Sequence, residues 1–255
     1  MDNVDHDFIK LYHSIVDSTD FTKICNLKEL NNLNKNITCI KLDFWLNKKI
    51  IILLNIHKIV IGHFHNKKIK ISQNVTHIMF GFSLEHKIKI PQNITHLYFD
   101  NRFNCKIKMP QNITHMTLGF YFNKKIKITQ NITHLAVGFQ FNQKIKISQN
   151  VTHLLVGNKF NYNIKISQNI THLALEQKLF NKIKIPYHVT HLEIDSRNYI
   201  NECYKQKIPQ NVTHLILKHN YFQYAQIPYH ITHLKMYYNK LVAITIPPHV
   251  NVLFL

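Results

Sequence analysis

The chain repeats itself every 19 residues, and this period constrains its fold more than any other feature. A Thr-His-Leu triplet or a close variant recurs, and its histidines are 19 residues apart, except for one step of 23 between His191 and His214. The nine histidines are His77, His96, His115, His134, His153, His172, His191, His214 and His233. Further steps of 19 reach Cys39 and Val252, which predicts about twelve coils over residues 36–255. Such a period is typical of a solenoid, in which stacked units bury one continuous core.

Each unit predicts one short strand and little helix. Apolar residues stand two positions before each histidine position and one and three positions after it, so the histidine and the residue two after it face the other side of the strand. Four positions after the histidines lie all five glycines, where positive φ in a tight turn is expected to end the strand. A Lys-Ile-Lys-Ile segment follows, with isoleucine inward and lysine outward. The pattern predicts a mainly β solenoid.

The run Ile-Pro-Gln-Asn-Ile-Thr-His-Leu at residues 90–97, followed by Phe103-Asn104, resembles the FNIP repeat, a short relative of the leucine-rich repeat. The similarity recurs in register over residues 36–255. It implies a right-handed solenoid like that of leucine-rich-repeat proteins, protein–protein interaction and no catalytic activity. Family members are known mainly from social amoebae and giant viruses of amoebae, which implies an intracellular protein of host or amoebal cytoplasm.

Two domains are expected. Residues 1–35 lie outside the period, and Phe8, Leu11, Tyr12 and Ile15 have helical spacing, so this segment predicts a short helical cap on a solenoid of residues 36–255. The acidic start of the chain has no apolar stretch and predicts no secretory signal. The richest apolar run, Ile50–Ile61, is too short and too polar for a transmembrane segment.

The leading functional hypothesis is a non-enzymatic scaffold that binds an unidentified protein through its concave strand face. The residue two after each histidine varies while its neighbours do not, and repeat binders use such an outward column for specificity. The predicted partner-binding residues are His77, Met79, His96, Tyr98, His115, Thr117, His134, His153, Leu155, His172, His191, Glu193, His214, Ile216 and His233.

The alternative hypothesis is polyanion binding, to nucleic acid or an anionic membrane, through a lysine-lined flank. The formal net charge is +19, and residues 36–255 hold 28 basic and 7 acidic residues. The lysines of this flank are Lys68, Lys70, Lys87, Lys89, Lys106, Lys108, Lys125, Lys127, Lys144 and Lys146. Nucleic acid is less favoured than a protein, because no aromatic residues interleave with the lysines.

Other chemistry is not predicted. An unbroken histidine column singles out no set of three or four metal ligands, and the four cysteines form no C-x-x-C pair. The sequence carries no catalytic triad or phosphate loop, so neither an enzyme nor a cofactor is expected. The Asn-Ile/Val-Thr sequon occurs eight times at the same position of the repeat and predicts a ladder of turn asparagines rather than glycosylation sites.

The sequence of the last coil predicts a contact with another molecule. Val252 and Leu253 follow Pro247-Pro248 in a strand that ends the predicted stack, with apolar neighbours. An exposed strand edge is a template for pairing with another chain. The sequence therefore predicts that this coil forms a homodimer with a second copy or docks the partner.

Overall fold

The fold is a mainly β solenoid of parallel strands. The computed structural model describes residues 22–24, 30–42, 50–52, 55–62, 69–81, 90–100, 102–104, 108–195, 207–218, 226–236 and 244–254. Within these residues, thirteen strands form one sheet whose order follows the chain, and two more form a small second sheet. Every pairing is parallel, so after each strand the chain crosses back to the end of the sheet at which that strand began. The main sheet contains β1 (Thr22–Ile24), β2 (Cys39–Leu42), β4 (Lys58–Ile61), β6 (His77–Phe80), β7 (His96–Phe99), β8 (His115–Thr117), β9 (His134–Val137), β10 (His153–Val156), β11 (His172–Glu176), β12 (His191–Asp195), β13 (His214–Lys218), β14 (His233–Met236) and β15 (Asn251–Phe254).

The remaining regular elements are short. Strands β3 (Ile50–Ile51) and β5 (Ile69–Lys70) pair with each other in the second sheet. One four-residue helix, α1 (Gln177–Phe180), follows β11 among the described residues. The main sheet keeps the repeat register, because His134, His153 and His172 are direct partners on neighbouring strands.

The core lies behind the sheet and is built from the predicted inward positions. Ile94, Leu97 and Phe99 of one coil are each less than 4% exposed, as are most of their counterparts in the other described coils. The phenylalanine of each Phe-Asn pair stacks on the next, with ring centroids 6.2–6.3 Å apart from Phe103 to Phe160. Each coil therefore buries its apolar face against its neighbours, which is what makes the stack stable.

Glycine is required at these positions for a different reason from the one predicted. None of Gly81, Gly119, Gly138 and Gly157 has a φ in the positive, left-handed region, so the predicted positive φ is wrong for these four. A Cβ atom on Gly138 would lie 2.0 Å from the carbonyl oxygen of Gly119, and one on Gly119 would lie 1.9 Å from that of Asp100. Glycine is needed here because successive coils approach too closely for a side chain.

Asparagine side chains join successive coils, as the sequons predicted. The side-chain amide of Asn150 donates to the carbonyl oxygen of Gln130 at 2.8 Å, and that of Asn169 donates to Gln149 at the same distance. A second ladder comes from the Phe-Asn pairs. There the side-chain oxygen of each asparagine accepts from the backbone N–H of the next, for example Asn142 N–H to Asn123 Oδ1 at 2.9 Å.

Both ends of the sheet depart from the sequence expectation. Strand β1 lies inside the segment assigned to the helical cap, yet it pairs with β2, so the sheet begins before residue 36. Residues 1–21 lie outside the described residues, and the helical cap and the count of twelve coils stay predictions. At the other end, Val252 was placed at the histidine position, but the structure pairs Val252 with Leu234 and Asn251 with His233. The last coil is therefore one residue short of the 19-residue period.

Candidate interaction surface

Nine imidazoles stand in a single stack on the outer face of the sheet. These side chains, His77, His96, His115, His134, His153, His172, His191, His214 and His233, form the histidine ladder. Neighbouring ring centroids are 3.9–4.3 Å apart and the ring planes are within 20° of parallel. The predicted column of histidines is thus present as a continuous surface.

The threonine before each histidine holds the ring in place. In all nine coils the threonine Oγ1 lies 2.8–2.9 Å from the Nδ1 of the histidine that follows it. The threonine backbone joins the coils as well: Thr152 N–H and His153 N–H both donate to the carbonyl oxygen of Thr133, at 2.8 and 3.1 Å. The sequence reasoning missed this role of threonine, although the invariant Thr-His pair was the signal for it.

Burial favours the neutral form of eight ladder imidazoles. The pKa values of seven ladder histidines are lowered from 6.5 to about 4, chiefly because burial disfavours the charged ring and also because neighbouring imidazoles would repel it. These seven are His77, His96, His115, His134, His153, His172 and His191. Burial also lowers the pKa of His214. These eight rings therefore present neutral hydrogen-bonding groups, not a row of cations.

Stacked imidazoles are poorly arranged for chelating a metal. Parallel rings about 4 Å apart direct their Nε2 atoms side by side, whereas one zinc ion at about 2.0–2.1 Å from each nitrogen needs ligands that converge on it. Within the described part of the chain, no group of three or more histidine, cysteine, aspartate or glutamate residues could hold a metal ion.

The outward column beside the ladder is largely buried. It contains the residues two after each histidine, and its exposure was the basis for predicting a variable recognition surface. Met79, Ile216 and Lys235 are half-buried. The exposed fractions are 4% for Tyr98, 9% for Thr117, 1% for Leu155 and 5% for Glu193. The prediction that these four side chains are exposed is wrong. Alternation along a strand predicts which face of the sheet a residue lies on, but it does not predict whether neighbouring side chains cover that residue.

Three buried carboxylates and a buried lysine lie on β11, β12 and β13: Glu176, Asp195 and Lys218 end their strands, and Glu193 is in the middle of β12. Lys218 Nζ is 2.7 Å from Glu193 Oε1, and both side chains are buried. Glu176 pairs in register with Asp195, and Asp195 with Lys218. Burial raises the pKa of Glu193, while Lys218 opposes that rise. For Glu176, Asp195 and Lys218 the sequence signal was the replacement of glycine four positions after the histidine, and the three strands that carry the cluster are five residues long.

The predicted lysine flank is exposed wherever the structure describes it. The described members are Lys70, Lys108, Lys125, Lys127, Lys144 and Lys146, and all six are exposed. The other four, Lys68, Lys87, Lys89 and Lys106, lie outside the described residues. The six described lysines belong to the return segments of their coils and not to the main sheet, so the histidine ladder and the described part of the lysine flank are separate surfaces.

Comparison with known proteins gives two matches. The family model of the FNIP repeat matches residues 85–121. The solved structure of CroV588, described as a novel circular LRR protein, is similar to this chain with a TM-score of 0.54 and 20% sequence identity. That likeness covers 88% of this chain and 44% of CroV588, so the chain spans less than half the length of that protein. No curated protein matches the sequence.

The fold is that of a repeat protein, with a solenoid like that of leucine-rich-repeat proteins. More particularly, residues 85–121 match the FNIP repeat, and the Thr-His-Leu triplet of that segment recurs in register in neighbouring coils. Among the described residues, no helix is both long enough and apolar enough to span a bilayer.

Proposed function

We propose that this chain is a non-enzymatic scaffold that binds a protein partner through the face of the sheet that carries the histidine ladder. The observation that supports the proposal is the ladder itself, with nine half-exposed or exposed imidazoles aligned over the main sheet. Among the described residues, none of these Nε2 atoms is buried without a partner, and none takes part in a hydrogen bond. Polar groups that are fixed in direction and left to solvent are available to a partner.

The partner contacts the ladder more than the outward column. Most of that column is buried, so its side chains set the shape and stiffness of the surface beneath a partner. Met79, Ile216 and Lys235 are the members with exposed surface, near the two ends of the run of histidines. Contacts at these three positions add to those of the imidazoles.

The test is quantitative affinity isolation from the organism that encodes the chain. The variant His134→Phe/His153→Phe keeps two stacked aromatic rings and removes their polar nitrogens. Its matched control is Lys127→Gln/Lys146→Gln, which changes two exposed side chains on the lysine flank. We expect partners bound by the wild type to be lost from the histidine variant and kept by the control. Equal recovery with all three proteins would reject the ladder as the binding face.

A second candidate function, polyanion binding through the lysine flank, is favoured by the distribution of charge. Residues 108–195 contain eleven lysines, ten of them exposed, while Glu176, Glu193 and Asp195 are the sole acidic residues of this segment and all three are buried. Positive surface without compensating carboxylates attracts polyanions. Binding to duplex DNA that weakens with salt and is lost in Lys125→Gln/Lys127→Gln/Lys144→Gln/Lys146→Gln would support this function.

A further inference from the structure

Two exposed tyrosines lie among the lysines of the return segments. Tyr121 and Tyr162 are 48% and 45% exposed, and neither belongs to a strand or helix. Tyr121 precedes Lys124 and Lys125 in its coil, and Tyr162 precedes Lys165 in another. The Lys-Ile-Lys-Ile segments themselves contain no aromatic residue, as the sequence indicated, but these two rings stand just before the lysines. The surface that carries the lysines therefore also carries aromatic groups that a ligand can reach.

Hydrogen bonds between coils align the return segments into rows that cross the stack. The backbone N–H of Gln140 donates to the carbonyl oxygen of Phe120 at 2.8 Å, and that of Lys159 donates to Phe139 at 2.9 Å. Each row therefore takes one residue from each of three successive coils. One row is Tyr121, Gln140 and Lys159, and the other is Lys124, Gln143 and Tyr162. Because neighbouring coils are about 4.8 Å apart, each row places a tyrosine and a lysine about 10 Å apart along the backbone stack.

Each tyrosine ring is held in place by a phenylalanine. The ring centroid of Tyr121 lies 4.7 Å from that of Phe120 with 64° between the planes, and that of Tyr162 lies 6.1 Å from Phe160 with 61° between the planes. Phe120 is stacked on Phe139, and Phe160 is buried. Among the described residues, neither tyrosine is stacked in parallel on another ring. Each ring is thus oriented by its neighbour and remains half exposed, which leaves it able to stack on a planar ligand.

The charge of these three coils favours an anion. Residues 115–171 contain seven lysines and no acidic residue. The lysines are Lys124, Lys125, Lys127, Lys144, Lys146, Lys159 and Lys165, and all but the half-buried Lys124 are exposed. The electrostatic potential that a molecule meets on approaching the tyrosines is therefore positive.

A single-stranded nucleic acid matches both the charge and the rings. Cationic side chains bind its phosphates, and its unpaired bases are free to stack on aromatic side chains. In a duplex the bases are stacked on one another and present their edges, so exposed rings contribute little. We propose that Tyr121 and Tyr162, with the lysines of the same three coils, bind a single-stranded nucleic acid through base stacking and phosphate contacts. This proposal rests on the second candidate function and names the polyanion.

The experiment measures the affinity of the full chain for four fluorescent probes. They are a DNA strand of twelve thymidines, an RNA strand of twelve uridines, a DNA duplex of twelve base pairs, and vesicles of phosphatidylserine and phosphatidylcholine. We expect single strands to bind more tightly than the duplex, and their affinity to fall as the salt concentration rises. The thymidine and uridine strands distinguish a DNA ligand from an RNA ligand.

Three variants isolate the contribution of the rings. In Tyr121→Ala/Tyr162→Ala we expect the affinity for the single strand to be at least about tenfold lower, since stacking on one ring contributes about fivefold or more. Tyr121→Phe/Tyr162→Phe keeps both rings and should bind within about twofold of the wild type. The matched control is Tyr187→Ala/Tyr229→Ala, which removes two tyrosines that are each 77% exposed and lie shortly before β12 and β14. It should change the affinity by less than about twofold.

The outcomes separate this proposal from polyanion binding in general. Undiminished binding of both single strands by Tyr121→Ala/Tyr162→Ala would overturn the proposal, as would a preference for the duplex or the vesicles that depends on these two tyrosines. If the alanine variant and the wild type bind single strands and duplex equally, and Lys125→Gln/Lys127→Gln/Lys144→Gln/Lys146→Gln binds neither, stacking fails and polyanion binding through the lysine flank stands. If the wild type binds none of the probes, both fail. Circular dichroism of each variant establishes that it is folded before its affinity is compared.

Discussion

Acidification is expected to destabilise this protein through the histidine ladder. The pKa values of seven imidazoles are lowered from 6.5 to about 4, first by burial and then by repulsion between rings. Between these two pH values the unfolded chain binds more protons than the folded chain, so the free energy of unfolding rises with pH. The stabilisation is fully present above pH 6.5 and is lost as pH falls through about 4.

The size of the effect follows from the number of rings and their exposure. Each ring is about half exposed, so solvent screens much of the shift, and a discounted value on the order of 0.5 kcal/mol per imidazole is appropriate. Seven rings then contribute about 3–4 kcal/mol, a large part of the roughly 5–15 kcal/mol that stabilises a typical domain. For a chain of this size, we expect the Tm to fall by about 10 °C between pH 7.5 and pH 4.5.

Thermal unfolding followed by circular dichroism at constant ionic strength measures this difference. The matched variant is His134→Phe/His153→Phe/His172→Phe, which keeps three stacked rings and removes three titrating groups. Its Tm should depend less on pH than that of the wild type, by nearly half. Glu193 acts in the opposite direction, because its raised pKa favours protonation in the folded chain, but it is a single group. A flat Tm profile, or an equal pH dependence in both proteins, would refute the reasoning.

Two further predictions concern stability, measured by urea unfolding. Gly138→Ala should lower the free energy of unfolding by about 3 kcal/mol, because the new Cβ would overlap the carbonyl oxygen of Gly119. The control variant Asn163→Ala, on the exposed surface, should change the free energy of unfolding by less than about 0.5 kcal/mol. Lys218→Met should cost about 3–5 kcal/mol by leaving the carboxylate of Glu193 buried without its cation, and adding Glu193→Leu should restore most of the loss. No recovery in the double variant would contradict the ion-pair explanation, and an unchanged Gly138→Ala protein would contradict the close approach.

The sequence predicted the fold because its repeat determines where each strand lies. The alternation around His134 and His153 identified the inward residues, and each of these histidines is the first residue of its strand. Contacts between coils were harder to predict, because the period of the sequence does not give the distance between successive coils. The glycine column was interpreted as a turn signal, whereas Gly138 is required by a carbonyl oxygen of the preceding coil.

The candidate site was predicted in position and not in detail. The histidine column was identified from its period, but the burial of Leu155 and Tyr98 depends on how closely other residues cover the sheet, which a single sequence does not give. The shorter last coil also escaped detection, because both Val252 and Leu253 are apolar and satisfy the pattern in either register.

A uniform ladder provides affinity without specifying a register. An extended partner that slides by one coil meets the same Thr-His pairs at nearly the same spacing, so registers differ little in energy. A preferred register requires coils that differ from one another. The described sheet differs most from β11 to β13, where Glu193 places a buried carboxylate in the outward column, Lys218 occupies the glycine column and the strands lengthen to five residues. If a partner binds along the imidazoles, as we propose, differences in shape and charge at these coils would fix its position.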